Sequence, residues 1–275
     1  MSKVTLNGCV VADEDQWIYD WFGIDAFSPA VIRKAVEENP DGEDLILEIN
    51  SGGGSVFAGF EMYSILRGAK CPTVAQVQSL AASAASTVMV GCSRVMLSPV
   101  AQVMIHLPSS YAEGNQNDMD RERRALESIT QSILNGYELR CRGKTDRAHL
   151  EELMHAESWL PAQEAVDLGL ADGILFQDED GEGTLPASIV NAVSGGIRSI
   201  ARNSGTPTSP ASLKARYEQL VRNGAAPAEG HPVPMGPQDG SEPDAPASTA
   251  GEAPASVSDD WQRNARLAIE HNRFL

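Results

Sequence analysis

The stretch AASAAS at residues 81–86 sets Ser83 and Ser86 among alanines, between the apolar runs PTVAQVQSL and TVMVG. A serine hydroxyl becomes a useful nucleophile only when a base takes its proton, and histidine is the base best matched to neutral pH. His106 is placed to serve. It ends the apolar run QVMIH, precedes Pro108 and a polar loop, and so stands at a strand end, where catalytic side chains are commonly displayed. Ser83 falls where a strand passes into a small-residue helix. At a helix N-terminus the dipole and the free N–H groups favour a developing negative charge. Capping alone would account for Ser83, and tight helix packing for the alanines; His106 turns the balance toward chemistry. A second feature is INSGGGSV at 49–56, which leaves a strand, turns through glycines and enters a helix. Glycine there admits positive φ and close approach of a ligand, and the N–H groups of such a turn can hold an anion. No GKS or GKT follows, which argues against a phosphate loop.

The elements that must position these residues alternate. DLILEIN (44–50), TVAQVQ (73–78), RVMLS and QVMIH read as strands. SVFAGFEMYSILRGA (55–69) and SAASTVMVGC (83–92) read as helices, as does the long NDMDRERRALESITQSILNGYELRCRG (117–143). On that helix Met119, Leu126, Ile129, Ile133 and Tyr137 lie near one face, the run DMDRERR makes a solvated face with paired charges, and Gly143 ends it. TDRAHLEELM and LPAQEAVDLG are shorter helices, the second with Pro161 in its first turn. Strands alternating with helices require parallel pairing through crossovers, hence an α/β fold.

Composition bounds the function. The chain has 275 residues and a formal net charge of −17, so nucleic acid and anionic membrane surfaces are excluded as partners. Cys9, Cys71, Cys92 and Cys141 are scattered, with no CxxC pair or Cys/His cluster, which speaks against a zinc site or a disulfide framework. No signal peptide or transmembrane run is present, and a soluble, cytoplasmic protein is expected. From Thr206 to Asp260 the chain turns to Pro, Ala, Gly, Ser and acidic residues, and reads as disordered linker. SLKARYEQLVRNG at 212–224 is an island of helical spacing within it. DDWQRNARLAIEHNRFL at the end reads either as a docking peptide, with Asp259 or Asp260 capping a short arginine-bearing helix, or as a frayed terminus.

The segments EINSGGGSVFAG, AASAAS with VMVG, VMIHLP and WLPAQEAVDLGLADGIL occur in the order found in the Clp protease proteolytic subunit family, and resemble its motifs over about residues 40–176. FGIDAFSPAVIRKAVEEN and GGGSVFAG look most like the branch of tailed phages and prophages, the head maturation proteases. The resemblance implies an α/β, ClpP- and crotonase-like spiral of parallel βαβ units with a long protruding helix. With the composition of the tail, this divides the chain into a protease domain over 1–185, a linker over 186–260 with a short helix at 212–223, and a C-terminal helix or docking peptide over 261–275. By the same resemblance Ser83, not Ser86, aligns with the nucleophile and His106 with the general base. The N–H groups of Gly54 and Ala84 would form the oxyanion hole, and Glu157 stands where the family has its Asp. Glu152 and Asp146 are nearby alternatives for that acid. Gly52 replaces the proline of the family's glycine turn.

The implied chemistry is an acyl-enzyme with no metal or cofactor, acting on phage scaffold or capsid proteins and on its own tail. The implied assembly is a homo-oligomeric ring, working in the host cytoplasm or inside the procapsid; the short N-terminus lacks an obvious counterpart of the family's unfoldase-engaging segment, so no required ATPase partner is expected. Two other readings compete. A crotonase-type acyl-CoA enzyme would share the fold but have no use for Ser83 with His106. A protease-like scaffolding protein without catalysis would fit the acidic tail. A lysine-based peptidase is disfavoured, because none of the lysines lies in a matching motif. His149 and His155 sit on a surface helix and are poor rivals to His106.

Overall fold

The computed structural model of the chain describes residues 2–177 and 209–222. The expected disordered tail and the helix or docking peptide over 261–275 lie outside the described residues, apart from the segment 209–222. The frame is a largely parallel sheet. Strand β1 (Ser2–Val10) pairs with β3 (Leu45–Gly54), β3 with β4 (Thr73–Ala82), and β4 with β5 (Arg94–Leu97). Short edge strands β2 (Ala26–Phe27) and β8 (Gly173–Ile174) complete the order β2-β1-β3-β4-β5-β8. In β3 the strand period is plain: Leu45, Leu47 and Ile49 are buried, while Ile46 and Glu48 between them are only partly covered.

Strand β4 divides its pairing. Val74–Val77 pair with β5, whereas Leu80–Ala82 pair with β6 (Gln102–Ile105). Strand β6 in turn pairs antiparallel with β7 (Ser158–Pro161). This fork brings sequence-distant strand ends to one place. Strand β3 runs further than expected. It continues pairing through the glycines, with Cys9 opposite Gly53 and Val10 opposite Gly54, after a register shift. A side chain at Gly54 could not exist there, since its Cβ would lie 2.2 Å from the Val10 carbonyl oxygen.

The crossovers are helical. They comprise α1 (Gln16–Phe22, preceded by a 3₁₀ turn at Asp13–Asp15), α2 (Pro29–Glu38), α3 (Val56–Gly68), α4 (Ala84–Gly91), α5 (Gln116–Cys141), α6 (Arg147–His155) and α7 (Ala162–Asp167). Every residue of α4 is buried, which its small side chains permit. Asn115 and Asp118 form a capping box at the start of α5. The expected charge pairs of its first half form between Arg121 and Asp118 and between Arg123 and Glu127.

The inward face of α5 differs from expectation. Burial begins at Thr130 and includes Ile133, Leu134 and Tyr137, whereas Met119 is exposed. Among the described residues, the first half of the helix packs against no core. The helix ends with Arg142 in the left-handed region, one residue before Gly143. Pro161 precedes α7 rather than entering its first turn. Arg140 is buried and donates to the carbonyls of Leu170, Cys92 and Ser93 and to the Asp172 carboxylate. Asp172 also accepts from the Val95 N–H, which ties the approach to β8 onto the sheet.

Helix α8 (Pro210–Arg222) packs on α1. Leu213 is buried there with Val11, Ile18 and Tyr19. The Tyr217 ring meets Trp17 and Trp21 edge-on at 5.4 and 5.0 Å between centroids. Arg216 lies 5.5 Å from the Phe22 ring centroid, and Lys214 pairs with Asp15. No helix among the described residues is long and apolar enough to cross a membrane.

Candidate active site

Strand pairing alone carries Ser83 to His106. In the β4–β6 register Ala82 stands opposite Met104, and the Ser83 N–H donates to the Met104 carbonyl at 2.9 Å. His106 follows β6 directly, so both side chains emerge at the same end of adjacent strands. The Ser83 Oγ lies 2.8 Å from the His106 Nε2. Ser83 occupies the capping position of α4, yet its side chain makes no capping hydrogen bond. The bland explanation of the serine therefore fails: the hydroxyl faces the imidazole, not its own helix. Its backbone is unusual as well, with φ 53° and ψ −126°. Non-glycine residues held in such regions carry strain and concentrate at functional sites.

The third candidate arrives by the same logic. In the antiparallel β6–β7 register Ile105 faces Ser158, and His106 and Glu157 are the residues that adjoin this pair. Glu157 has φ 51°, at the turn out of α6, and is exposed. Among the described residues no hydrogen bond joins Glu157 to the imidazole; its influence is electrostatic. Burial pushes the His106 pKa below the ordinary histidine value, and the Glu157 charge opposes that shift without cancelling it. The imidazole is thus neutral, and able to accept a proton, at neutral pH.

The alternatives to Glu157 are committed elsewhere. Asp146 caps α6 by accepting from the His149 N–H at 2.8 Å. Glu152 is exposed and pairs with His149 at 3.4 Å. His149 and His155 are exposed, as expected for a surface helix.

Ser86 has a different part. It is wholly buried, and its Oγ donates to the Ser83 carbonyl at 2.6 Å. The glycine turn backs the site. A Cβ on Gly53, which has φ +96°, would lie 2.7 Å from the Ser83 Cβ. Gly54 backs onto Val10, one residue further from the serine. The buried Ser51 holds this turn by donating to the Gly8 carbonyl at 2.6 Å and accepting from the Gly53 N–H at 3.1 Å. The Ala84 N–H belongs to the first turn of α4, where N–H groups have no acceptor within the helix.

A small cavity beside the pair is lined by Val56, Ala84, Thr87, Pro108, Ile133 and Tyr137 together with Ser83 and His106. Sequence reasoning missed Ser51 and Tyr137. Ser51 lies within the glycine motif, and the helical spacing places Tyr137 only on a helix face. Among the described residues no group of three or more His, Cys, Asp or Glu side chains is placed to hold a metal ion, and the four cysteines are unpaired.

A parallel α/β sheet with a serine and a histidine at neighbouring strand ends is a frame on which hydrolases are built. The family model for Clp protease matches residues 31–178, and the chain belongs to that family of serine peptidases. It is 34% identical over 146 residues to the ATP-dependent Clp protease proteolytic subunit 1 of Chlamydia abortus, covering 52% of this chain and 74% of the relative. The subunit 1 of Chlamydia caviae is 33% identical over 149 residues, covering 53% and 77%. The proteolytic subunit of Bacteroides fragilis is 28% identical over 138 residues, covering 50% and 66%. The strand β1 and helix α1 precede the matched region, and helix α8 follows it.

Proposed function

We propose that this ClpP-like chain is a serine endopeptidase in which Ser83 attacks the peptide carbonyl and His106 takes the proton and returns it to the leaving amine. Glu157 stabilises the imidazolium through its charge. The Ala84 and Gly54 N–H groups hold the oxyanion, at the start of α4 and beside it. The bond from the Ser83 oxygen to the carbonyl carbon forms first and gives the tetrahedral oxyanion; its collapse breaks the C–N bond and releases the amine protonated by His106, and water then hydrolyses the acyl-enzyme by the same two steps. The observation that carries this reading is the 2.8 Å contact between the Ser83 Oγ and the His106 Nε2, made by a serine that declines to cap its own helix. A crotonase-type chemistry would leave that contact without a use.

The substrates in this reading are phage scaffold or capsid proteins, with cleavage of the chain's own tail, in the host cytoplasm or within a procapsid. Its support is the likeness of FGIDAFSPAVIRKAVEEN and GGGSVFAG to the head maturation branch. A homo-oligomeric ring is part of the proposal, supported by the first half of α5, which packs against no core among the described residues and leaves Met119 exposed there.

Intact mass of the full chain and of Ser83→Ala, each with and without a fluorophosphonate, tests the chemistry. The expected result is one adduct on the wild type alone, in the peptide containing Ser83, and tail fragments that vanish in the variant. An adduct on Ser86, or an unlabelled wild type that is folded and assembled, would overturn it.

A further inference from the structure

We propose that Ser86 and Tyr137 are positioning residues for the oxyanion donor: together they aim and strengthen the Ala84 N–H. The proposal rests on the reading of Ser83 as nucleophile and adds to it a device carried by helix α5.

The direction of the hydrogen bonds is fixed by counting protons. Ser86 has a single hydroxyl proton, and it goes to the Ser83 carbonyl at 2.6 Å. The Tyr137 hydroxyl lies 2.7 Å from the same Ser86 oxygen. Tyrosine must therefore be the donor. Burial pushes the Tyr137 hydroxyl pKa up, so it keeps the proton it donates. The chain runs from the Tyr137 O–H to the Ser86 O–H and on to the Ser83 C=O. Both side chains are buried, at 2% and 0% exposure, so water does not compete for these bonds.

The Ser83 carbonyl also accepts from the Ser86 and Thr87 N–H groups, at 3.0 and 3.4 Å. Its oxygen is held from several directions. That carbonyl and the Ala84 N–H belong to one planar trans peptide group, so fixing the oxygen fixes where the N–H points. Hydrogen bonds in series polarise one another, so an amide whose oxygen is strongly bonded donates better through its nitrogen. Tyr137 stands 51 residues from Ser86 in sequence and lines the cavity beside Ser83 and His106. The long helix thereby reaches the nucleophile's own peptide group.

A plainer account exists. Serines in helices often bond a carbonyl of the preceding turn, and a buried tyrosine needs some partner. On that account the two residues affect stability alone, and any loss of labelling follows the unfolded fraction.

The test uses the full chain as wild type, Tyr137→Phe, Ser86→Ala and the double variant. It measures the second-order rate of fluorophosphonate labelling, the affinity of a peptidyl boronic acid that forms a tetrahedral adduct on Ser83, and the thermal midpoint. Each single variant is expected to lose about two- to tenfold in both rate and boronate affinity. The double variant should lose no more than Ser86→Ala, because the tyrosine hydroxyl reaches the Ser83 carbonyl through that serine. The pH midpoint of labelling should stay where it is, since the Ser83–His106 contact is untouched. Single variants that react and bind like wild type, losses that multiply in the double, or losses that follow only the unfolded fraction would each overturn the proposal. A wild type that fails to label would remove the underlying reading and the proposal with it, whereas labelling indifferent to both substitutions removes only the proposal.

Discussion

The active edge and the α1–α8 cluster are built on opposite principles. Around Ser83 the residues are the smallest available: Gly53, Gly54, Ala82, Ala84 and Ala85. Position there comes from backbone pairing, with β4 forked between β5 and β6 and the Ser83 N–H tied to Met104. Around Tyr217 the residues are among the largest, namely Trp17, Trp21 and Phe22, and position comes from buried ring area and a few surface charges. At Gly53 and Gly54 the first region has no room for an added atom. The second depends on atoms that can be taken away. Chemistry needs positions good to a fraction of an ångström, which a hydrogen-bonded sheet supplies. Holding a helix down needs area, which rings supply.

Substitutions that add or remove atoms sharpen the contrast. Gly53→Ala should have the largest effect. Its Cβ would meet the Ser83 Cβ at 2.7 Å, and φ +96° is strained for alanine. A displacement of about 1 Å at the nucleophile costs roughly 100-fold in rate. Strain at such a φ lowers stability by about 1–3 kcal/mol. Labelling kinetics and chemical denaturation check both. Labelling at the wild-type rate would break the idea that close approach of this turn sets the serine.

Leu213→Ala comes next, on stability rather than rate. Truncating a buried leucine typically costs about 2–5 kcal/mol, and here the loss falls on the docking of α8. Hydrogen exchange should rise across 16–22 and 210–222, with the sheet still protected and labelling of Ser83 within about twofold. A matching loss of protection in β3 and β4 would show that the two regions are one cooperative unit.

The smallest change belongs to Glu157→Gln. An exposed charge acts weakly, so acylation should slow by only about two- to fivefold. Removing the negative charge also removes what raises the His106 pKa, so the pH midpoint of activity should move down. A far larger loss would mean that Glu157 bonds the imidazole directly during turnover.

Much of the active edge was legible in the sequence because it is local. Strand, small-residue helix and strand-end histidine follow one another within residues 73–106, and most elements from residue 44 onward fall close to where periodicity placed them, whereas the short strands β7 and β8 have no counterpart in that reading. Three features were not legible. The first forty residues carry β1, α1, β2 and α2, but α1 is a seven-residue helix whose apolar face packs not only on nearby Val11 and Ala26 but also on Leu213 and Tyr217, some two hundred positions away. Adjacent glycines cannot be told apart by spacing, and pairing with β1 decides that Gly53 faces Ser83 while Gly54 faces Val10. The Tyr137–Ser86 contact joins residues on two helices, and neither type nor period announces it.

The pH dependence of Ser83 labelling tests most directly whether Ser83 and His106 work as one buried pair. The account predicts a rate that rises with pH and levels off, with a midpoint below the ordinary histidine value of 6.5, because the neutral imidazole is the active form and burial favours it. His106→Gln should abolish the titration together with most of the rate. A rate indifferent to pH through this range, or a midpoint above 6.5, would contradict the pairing on which the assignment stands.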